Sequence, residues 1–193
     1  MTGKIIILSA PSGTGKSSII KHLMAKRPDL NLKFSISATS RKPRVGEEDR
    51  RDYYFLSTEM FKEKIDAGEF VEWEEVYEGT FYGTLLSEVK KNVDEGHTVI
   101  MDIDVAGSLN VKERFGDKAL AIFLMPPSIQ ELEMRLHNRG TDSEEEVARR
   151  LAKAGYELTF APKFDCVVIN DDFFHAVEEV AQKIENFNPS NGS

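Results

Sequence analysis

The stretch Ala10-Pro11-Ser12-Gly13-Thr14-Gly15-Lys16-Ser17 decides how the rest of the chain is read. It follows Ile5-Ile6-Ile7-Leu8, an apolar run of strand type. It leads into Ser18-Ile19-Ile20-Lys21-His22-Leu23-Met24, where apolar residues return at helical spacing. A strand, a glycine-bearing turn and a helix in this order make a cradle for phosphate. Backbone N–H groups at a helix N-terminus lack intrahelical partners, and the helix dipole favours an anion there. Gly13 and Gly15 permit the tight backbone path, Lys16 supplies a cation for the β- and γ-phosphates, and the Ser17 hydroxyl is a ligand for Mg²⁺. The strict pattern has glycine where Ala10 stands. An ordinary strand–turn–helix capped by Ser or Thr is the bland alternative. The Gly-Lys-Ser run, with a buried strand before it and a helix after it, favours a nucleoside triphosphate as the ligand.

Size and charge narrow the remaining choices. With 193 residues, 40% of them hydrophobic, the chain is long enough to bury a core and to form one compact unit. A net charge of −8 argues against general affinity for nucleic acid or for an anionic membrane. The acids cluster in helical stretches such as Glu144-Glu145-Glu146, where a solvated face explains them. Cys166, the single cysteine, sits in Asp165-Cys166-Val167-Val168-Ile169 and reads as a small buried strand residue. A chain with one cysteine makes no internal disulfide, and the cytoplasm is the expected setting. No run approaches the length of a membrane span, no secretory leader is evident, and the end from Asn186 to Ser193 reads as a frayed tail.

Apolar runs rich in β-branched residues recur at Ile5–Leu8, Thr98–Ile103, Ala119–Leu124 and Cys166–Ile169. Helical patterns lie around Ser17–Lys26, Ser87–Asp94, Ser128–Asn138, Glu144–Leu158 and Phe173–Ile184. Continuous apolar strands separated by helices imply an α/β fold with a doubly wound, mainly parallel sheet and ligands at the strands' carboxyl ends. Phe34 to Thr84 breaks that rhythm. Short alternating segments, Phe34–Ser37, Tyr53–Leu56 and Phe70–Tyr77, surround a helical piece at Glu59–Ala67, which reads as a small mixed, largely antiparallel insertion. Ser143 and Glu146 have capping-box spacing and start a helix whose core positions are Val147, Leu151, Ala154 and Leu158.

Three further groups carry chemistry. Arg41-Lys42-Pro43-Arg44 is basic in an acidic chain, and the guanidinium fork suits phosphate. A solvated loop with local ion pairs is the alternative, and an anion site requires Arg41 and Arg44 to converge with Tyr53. Asp102 ends the buried run Val99-Ile100-Met101, the place for a carboxylate that holds Mg²⁺ or its water, and Asp104 shares its side if the strand continues. Arg135 and Arg139 share a helical face, with Arg149-Arg150 on the next helix and Ile129, Leu132 and Leu136 taking the core face. Arginines on such a hairpin suit the charge of a transferring phosphoryl group. The four histidines share no ligand spacing.

Taken together, these motifs resemble the guanylate kinase family from Lys4 to about Glu185. They are Ala10–Ser17, Phe34–Ser37 with Thr39-Ser40-Arg41-Lys42-Pro43-Arg44, Gly46-Glu47, Tyr53, Phe70-Val71-Glu72-Trp73, Tyr82-Gly83-Thr84, Asp102-Ile103-Asp104, Arg139-Gly140 and Val168–Asp172. The resemblance implies Mg²⁺-dependent transfer of the γ-phosphoryl group of ATP to GMP. It implies that Arg41, Arg44, Tyr53 and Tyr82 hold the GMP phosphate and that Ser37, Glu72, Gly83, Thr84 and Asp104 belong to the guanine site. Lys16, Ser17 and Asp102 would serve ATP and Mg²⁺, with Arg135, Arg139 and Arg150 acting from a lid. The implied organisation is a core of 1–33, 85–125 and 152–186, a GMP-binding insertion at 34–84, a helical lid at 126–151 and a tail at 187–193. Two departures are visible. Arg50 stands where relatives often carry glycine, and the segment from Tyr77 to Phe81 is one residue longer than in some relatives. The rival readings are a non-catalytic module of the same family that binds proteins, and a related kinase with another phosphorylated acceptor. The intact Lys16 loop speaks against the first and the carboxylates Glu72 and Asp104 against the second.

Overall fold

The computed structural model describes residues 3–138 and 143–187. In chain order the elements are β1 (Ile5–Ser9), α1 (Lys16–Lys26), β2 (Leu32–Phe34), β3 (Ala38–Thr39), β4 (Tyr54–Phe55), α2 (Thr58–Asp66), β5 (Phe70–Tyr77) and β6 (Thr80–Leu85). They continue as α3 (Leu86–Asp94), β7 (Thr98–Asp102), α4 (Val105–Phe115), β8 (Ala119–Met125), α5 (Ile129–Asn138), α6 (Glu144–Leu158), β9 (Cys166–Ile169) and α7 (Phe173–Phe187).

The first sheet is five-stranded and parallel, in the order β2-β7-β1-β8-β9. Every residue of β1 is buried, as are four of the five in β7, so the continuous apolar runs are strands covered on both faces. The edge strand β9 differs. Val168 is fully buried, whereas Val167 and Ile169 are exposed. Cys166 is half-buried rather than buried, and desolvation pushes its thiol up to about 11. The second sheet, β4-β3-β6-β5, is mixed. β3 runs antiparallel to β6, and β5 to β6, while β3 and β4 pair in parallel, so the sheet is mixed and largely antiparallel, as its sequence reads.

The chain divides into two compact units. One takes in the first residues through Ile5 together with Lys33–Val99; the other takes in Ile6–Leu32 and the chain from Ile100 onward. In the first unit, Phe61 of α2 stacks on Phe70 at 4.3 Å and on Phe81 at 5.5 Å, with Ala38 and Leu85 completing the cluster. Gly83 lets β6 lie close to β5, since a Cβ there would come within 2.8 Å of the Glu72 carbonyl oxygen. In the second unit, Leu132 and Leu136 of α5 pack with Val147 and Ala154 of α6.

Several sequence readings need correction. Phe34 belongs to β2 of the first sheet, and the second sheet starts at Ala38. α4 has no counterpart in the sequence reading, because Gly107, Ser108 and Asn110 are weak helix formers. It exists because Asp104 caps it, accepting the Gly107 N–H at 2.7 Å, and because buried Gly107 and Ser108 let it pack on β8. Ile129 is 37% exposed and lies off the core face of α5. Asn186 and Phe187 are the last turn of α7, not tail; residues beyond them lie outside the described part. By contrast α6 and its capping box stand where the spacing put them.

Arg50 adopts φ of 63°, a left-handed conformation, with its N–H on the Tyr53 carbonyl at 2.8 Å. A glycine there escapes a cost of roughly 1–2 kcal/mol but loses more entropy on folding. The Arg50 side chain is 80% exposed, so little else is lost. Arg50→Gly is therefore expected to stabilise the fold by about 0.5–1 kcal/mol, a rise of roughly 1–4 °C in Tm by calorimetry. A fall in Tm would contradict this account of the loop.

Candidate active site

The site starts from an unusual helix terminus. Gly15, the N-cap residue of α1, has φ of 97°, no side chain caps the helix, and its first turn contains no acid. α6 does the opposite, with a Ser143 cap and three glutamates in its first turn. The chain therefore knows how to satisfy a helix start and leaves that of α1 open for an anion. The bland alternative of a capped strand–turn–helix is set aside by this geometry. Gly13, with φ of 95°, is also a point of close approach, since a Cβ there would lie 2.9 Å from Leu136 Cδ2.

Because β1 and β7 are neighbours in a parallel sheet, the loop after β1 and the acid ending β7 come together at their carboxyl ends. Lys16 Nζ forms an ion pair with Asp102 Oδ1 at 2.6 Å and donates to the Ile103 carbonyl at 3.1 Å. Ser17 Oγ donates to Asp102 Oδ2 at 3.2 Å. A cavity of about 370 Å³ opens there, lined by Ala10, Pro11, Ser12, Gly13, Gly15, Lys16, Ser17, Ser18, Asp102, Ile103, Asp104, Arg150, Lys153 and Glu157. Thr14 is fully buried and does not line it. Arg150 reaches the loop directly, donating from Nη1 to Ser12 Oγ at 3.0 Å. Arg135 is held instead at the end of β9, where its Nη2 donates to the Asn170 carbonyl at 3.1 Å and its Nε to Glu131 at 3.3 Å. Arg139 lies outside the described residues.

The strand β7 stops at Asp102, so Asp104 does not share its face by strand alternation. Asp104 lines the cavity from the N-cap of α4. Lys153 and Glu157 were missed by the sequence reading. The signal was present: from Arg150, steps of three and then four residues keep one face of α6. Glu157 is 7% exposed, and desolvation raises its carboxyl above the ordinary range, opposed by Lys153 and Lys16.

The first unit gathers the other candidates. Arg41 pairs with Glu47 through both terminal nitrogens, at 2.6 and 2.8 Å, and donates from Nε to the Tyr82 hydroxyl at 3.1 Å. Its guanidinium lies 4.9 Å from the centre of the Tyr53 ring. Arg44 contributes its backbone N–H to Glu47 at 2.8 Å, while its side chain is exposed. Of the expected convergence of Arg41 and Arg44 with Tyr53, the structure shows the Arg41 part, adding Tyr82 and Glu47 as partners of Arg41, while the Arg44 side chain is exposed. On the β5–β6 ladder Glu72 is opposite Thr84, whose hydroxyl donates to Glu72 Oε1 at 2.7 Å. Ser37 precedes β3, with its carbonyl on the Tyr54 N–H at 2.9 Å.

A family model described as guanylate kinase matches residues 2–187. The chain belongs to the guanylate kinase family. It is 53% identical to a guanylate kinase of Porphyromonas gingivalis over 184 residues, which is 95% of this chain and 97% of that protein. It is 51% identical to one of Bacteroides thetaiotaomicron over 187 residues, 97% of this chain and 91% of that protein. Among solved structures, the crystal structure of guanylate kinase from Anaplasma phagocytophilum aligns with a TM-score of 0.72 at 30% identity, covering 96% of this chain and 86% of that one. Among the described residues no helix is long and apolar enough to cross a membrane.

Arg41, and secondarily the Arg44 N–H, hold the Glu47 carboxyl at about 2, well below its ordinary 4.5. A depressed carboxylate of this kind contributes its pairing at pH above about 4.5 and loses it as pH falls through about 2. In Arg41→Ala the Glu47 titration, followed by carboxyl-carbon NMR, is expected to move up toward 4.5. An unmoved titration would show that Arg41 is not what sets it.

Proposed function

We infer that this member of the guanylate kinase family catalyses transfer of the γ-phosphoryl group of ATP to GMP, giving ADP and GDP. The observation that carries the reading is the near-full-length likeness to guanylate kinases, with the Lys16 loop and its open helix terminus intact. In this reading 34–84 carries the GMP site and 126–151 forms the lid.

The triphosphate of ATP lies along Ala10–Ser17, taking N–H groups from the start of α1 and the charge of Lys16. Asp102 keeps the Lys16 ammonium at the cavity. Ser17 and Asp102 also fit a magnesium ion. They are hard oxygen donors 3.2 Å apart, and phosphate oxygens and water would supply the rest of its shell. When bound, the ion offsets charge on the β- and γ-phosphates. Arg150, on the loop through Ser12, and Arg135 would stabilise charge on the phosphoryl group in flight, with Arg139 as their third member.

On the acceptor side, Arg41, Arg44, Tyr53 and Tyr82 receive the GMP phosphate. Arg41 arrives pre-oriented by Glu47 and Tyr82. A phosphate monoester has a second pKa near ~6 and is largely ionised at neutral pH, so the attacking oxygen needs no strong base. Positioning and charge stabilisation carry the reaction. Guanine presents two adjacent donors, N1–H and the exocyclic amine, to the Glu72 carboxylate. Thr84 spends its one O–H on Glu72 and so orients that carboxylate, which leaves Ser37 as the proposed donor to O6. Gly83 supports the Glu72 carboxylate by keeping β5 and β6 close. Adenine would turn a lone pair toward Glu72 and strand a charge, a loss of about 1–3 kcal/mol.

The test compares nucleoside diphosphate formation from ATP with GMP, AMP, UMP and CMP in turn. GMP is expected to be the acceptor by a wide margin, and equal use of AMP would overturn the reading. Lys16→Ala is expected to lower kcat by about 10²–10³-fold or more with an unchanged circular dichroism spectrum. Near-normal turnover would remove the loop from the mechanism. Glu72→Gln is expected to lower kcat/KM for GMP by roughly 10- to 100-fold, the equivalent of about 1–3 kcal/mol, with KM for ATP within about twofold. Equal damage to both substrates would deny Glu72 a role in reading the base.

A further inference from the structure

Asn170 follows the last residue of β9 and is 5% exposed. Its N–H donates to the Met125 carbonyl at 2.8 Å, which extends the β8–β9 pairing by one residue and fixes its backbone. Its side-chain Nδ2 donates to the Thr14 carbonyl at 2.6 Å. The same nitrogen would lie 2.7 Å from a Cβ on Gly15, so it sits against the Thr14–Gly15 peptide itself. The reaction as described above has no use for this side chain.

That peptide joins a residue buried away from the cavity to one that lines it. Because a trans peptide is planar, its N–H and C=O point in opposite directions. With the Thr14 oxygen held by Asn170, the Gly15 N–H faces away from Asn170. Nothing intrinsic to Gly15 enforces this. Turning the peptide over by about 180° would carry its φ from 97° to about −83°, and glycine accepts both signs. The turned peptide would present a carbonyl dipole where a polyanion needs an N–H. Thr14 has little else to oppose the turn: its N–H reaches the Pro11 carbonyl at 3.2 Å, and its buried hydroxyl has no partner.

We propose that Asn170 is a positioning residue for phosphoryl transfer, its side-chain amide locking the Thr14–Gly15 peptide in the orientation that receives the triphosphate. This rests on the reading of Ala10–Ser17 as the ATP phosphate site. Arg135 is held by the Asn170 backbone carbonyl, so side-chain substitutions at Asn170 leave that contact in place.

The test uses the full-length protein, Asn170→Ala and Asn170→Asp, with inorganic tripolyphosphate in excess magnesium chloride as the probe, which has no base to bind. The Asp variant keeps the shape but cannot donate when ionised, and it repels the Thr14 oxygen; the Ala variant removes the donor without adding charge. Isothermal calorimetry is expected to show tripolyphosphate affinity falling at least about tenfold in Ala and further in Asp. KM for ATP is expected to rise in step, and KM for GMP to stay within about twofold. The Gly15 amide resonance, which tripolyphosphate shifts in the unmodified protein, is expected to respond weakly in Asn170→Ala. A residue that merely fills space would rank the variants the other way, with the isosteric Asp closer to the unmodified protein, and that ranking overturns the proposal. So does tripolyphosphate affinity within twofold in both variants, or an equal rise in both KM values. If Ala fails to fold, Asp and its two KM values decide alone. An unmodified protein that does not bind tripolyphosphate overturns the loop assignment as well, which separates the two failures.

Discussion

The uncapped start of α1 is the constraint on which the rest of the chemistry depends. A helix terminus leaves several N–H groups without partners, and burying them unpaired is costly. This chain satisfies that demand at α6 with Ser143, Glu146 and a run of acids. At α1 it supplies a left-handed glycine, no capping side chain, no acid in the first turn and a lysine. In the proposed reading a ligand's phosphate completes the terminus. Asp102 balances the lysine in the meantime, and because it does so from the end of the adjacent strand, β7 belongs to the site as much as the loop does.

Charge is managed in the same way in each unit. Arg41 is engaged by Glu47, Tyr82 and the face of Tyr53. Lys16 is engaged by Asp102, and Lys153 lies 3.8 Å from Glu157. Arg41, Lys16 and Lys153 each have a carboxylate beside the head group. Ordering these long side chains beforehand removes part of the entropy that substrate binding would otherwise have to overcome. In the proposed reading, selectivity for the base rests on similar pre-orientation, since Thr84 turns its hydroxyl to Glu72.

The strongly periodic elements were legible in the sequence. β1, β8, β9, α5 and α6 all lie within about a residue of where apolar spacing and capping put them. What escaped was structure made by context. α4 is poor in helix formers and owes its existence to the Asp104 cap and to small residues buried on β8. β2, at three residues, is too short to show a period. The parallel pairing of β3 with β4 joins two-residue strands that carry no directional signal. Arg50 showed that a missing glycine is a real departure: the backbone keeps a positive φ there with an arginine in place.

For the site, residue types and spacing along the chain were enough to propose the phosphate loop, its lysine and serine, the acid ending β7 and the arginines of two helices. Those follow from local geometry, because a strand–turn–helix places its own N–H groups and a strand end places its own carboxylate. Folding alone decided the partnerships: Arg41 with Glu47, Glu72 with Thr84, Asn170 beneath Thr14, and Lys153 and Glu157 on the cavity wall. These join residues whose proximity depends on which strands pair and on how each helix is rotated about its axis. Neither is encoded in a short window of sequence. Both are set only when every buried face finds its complement.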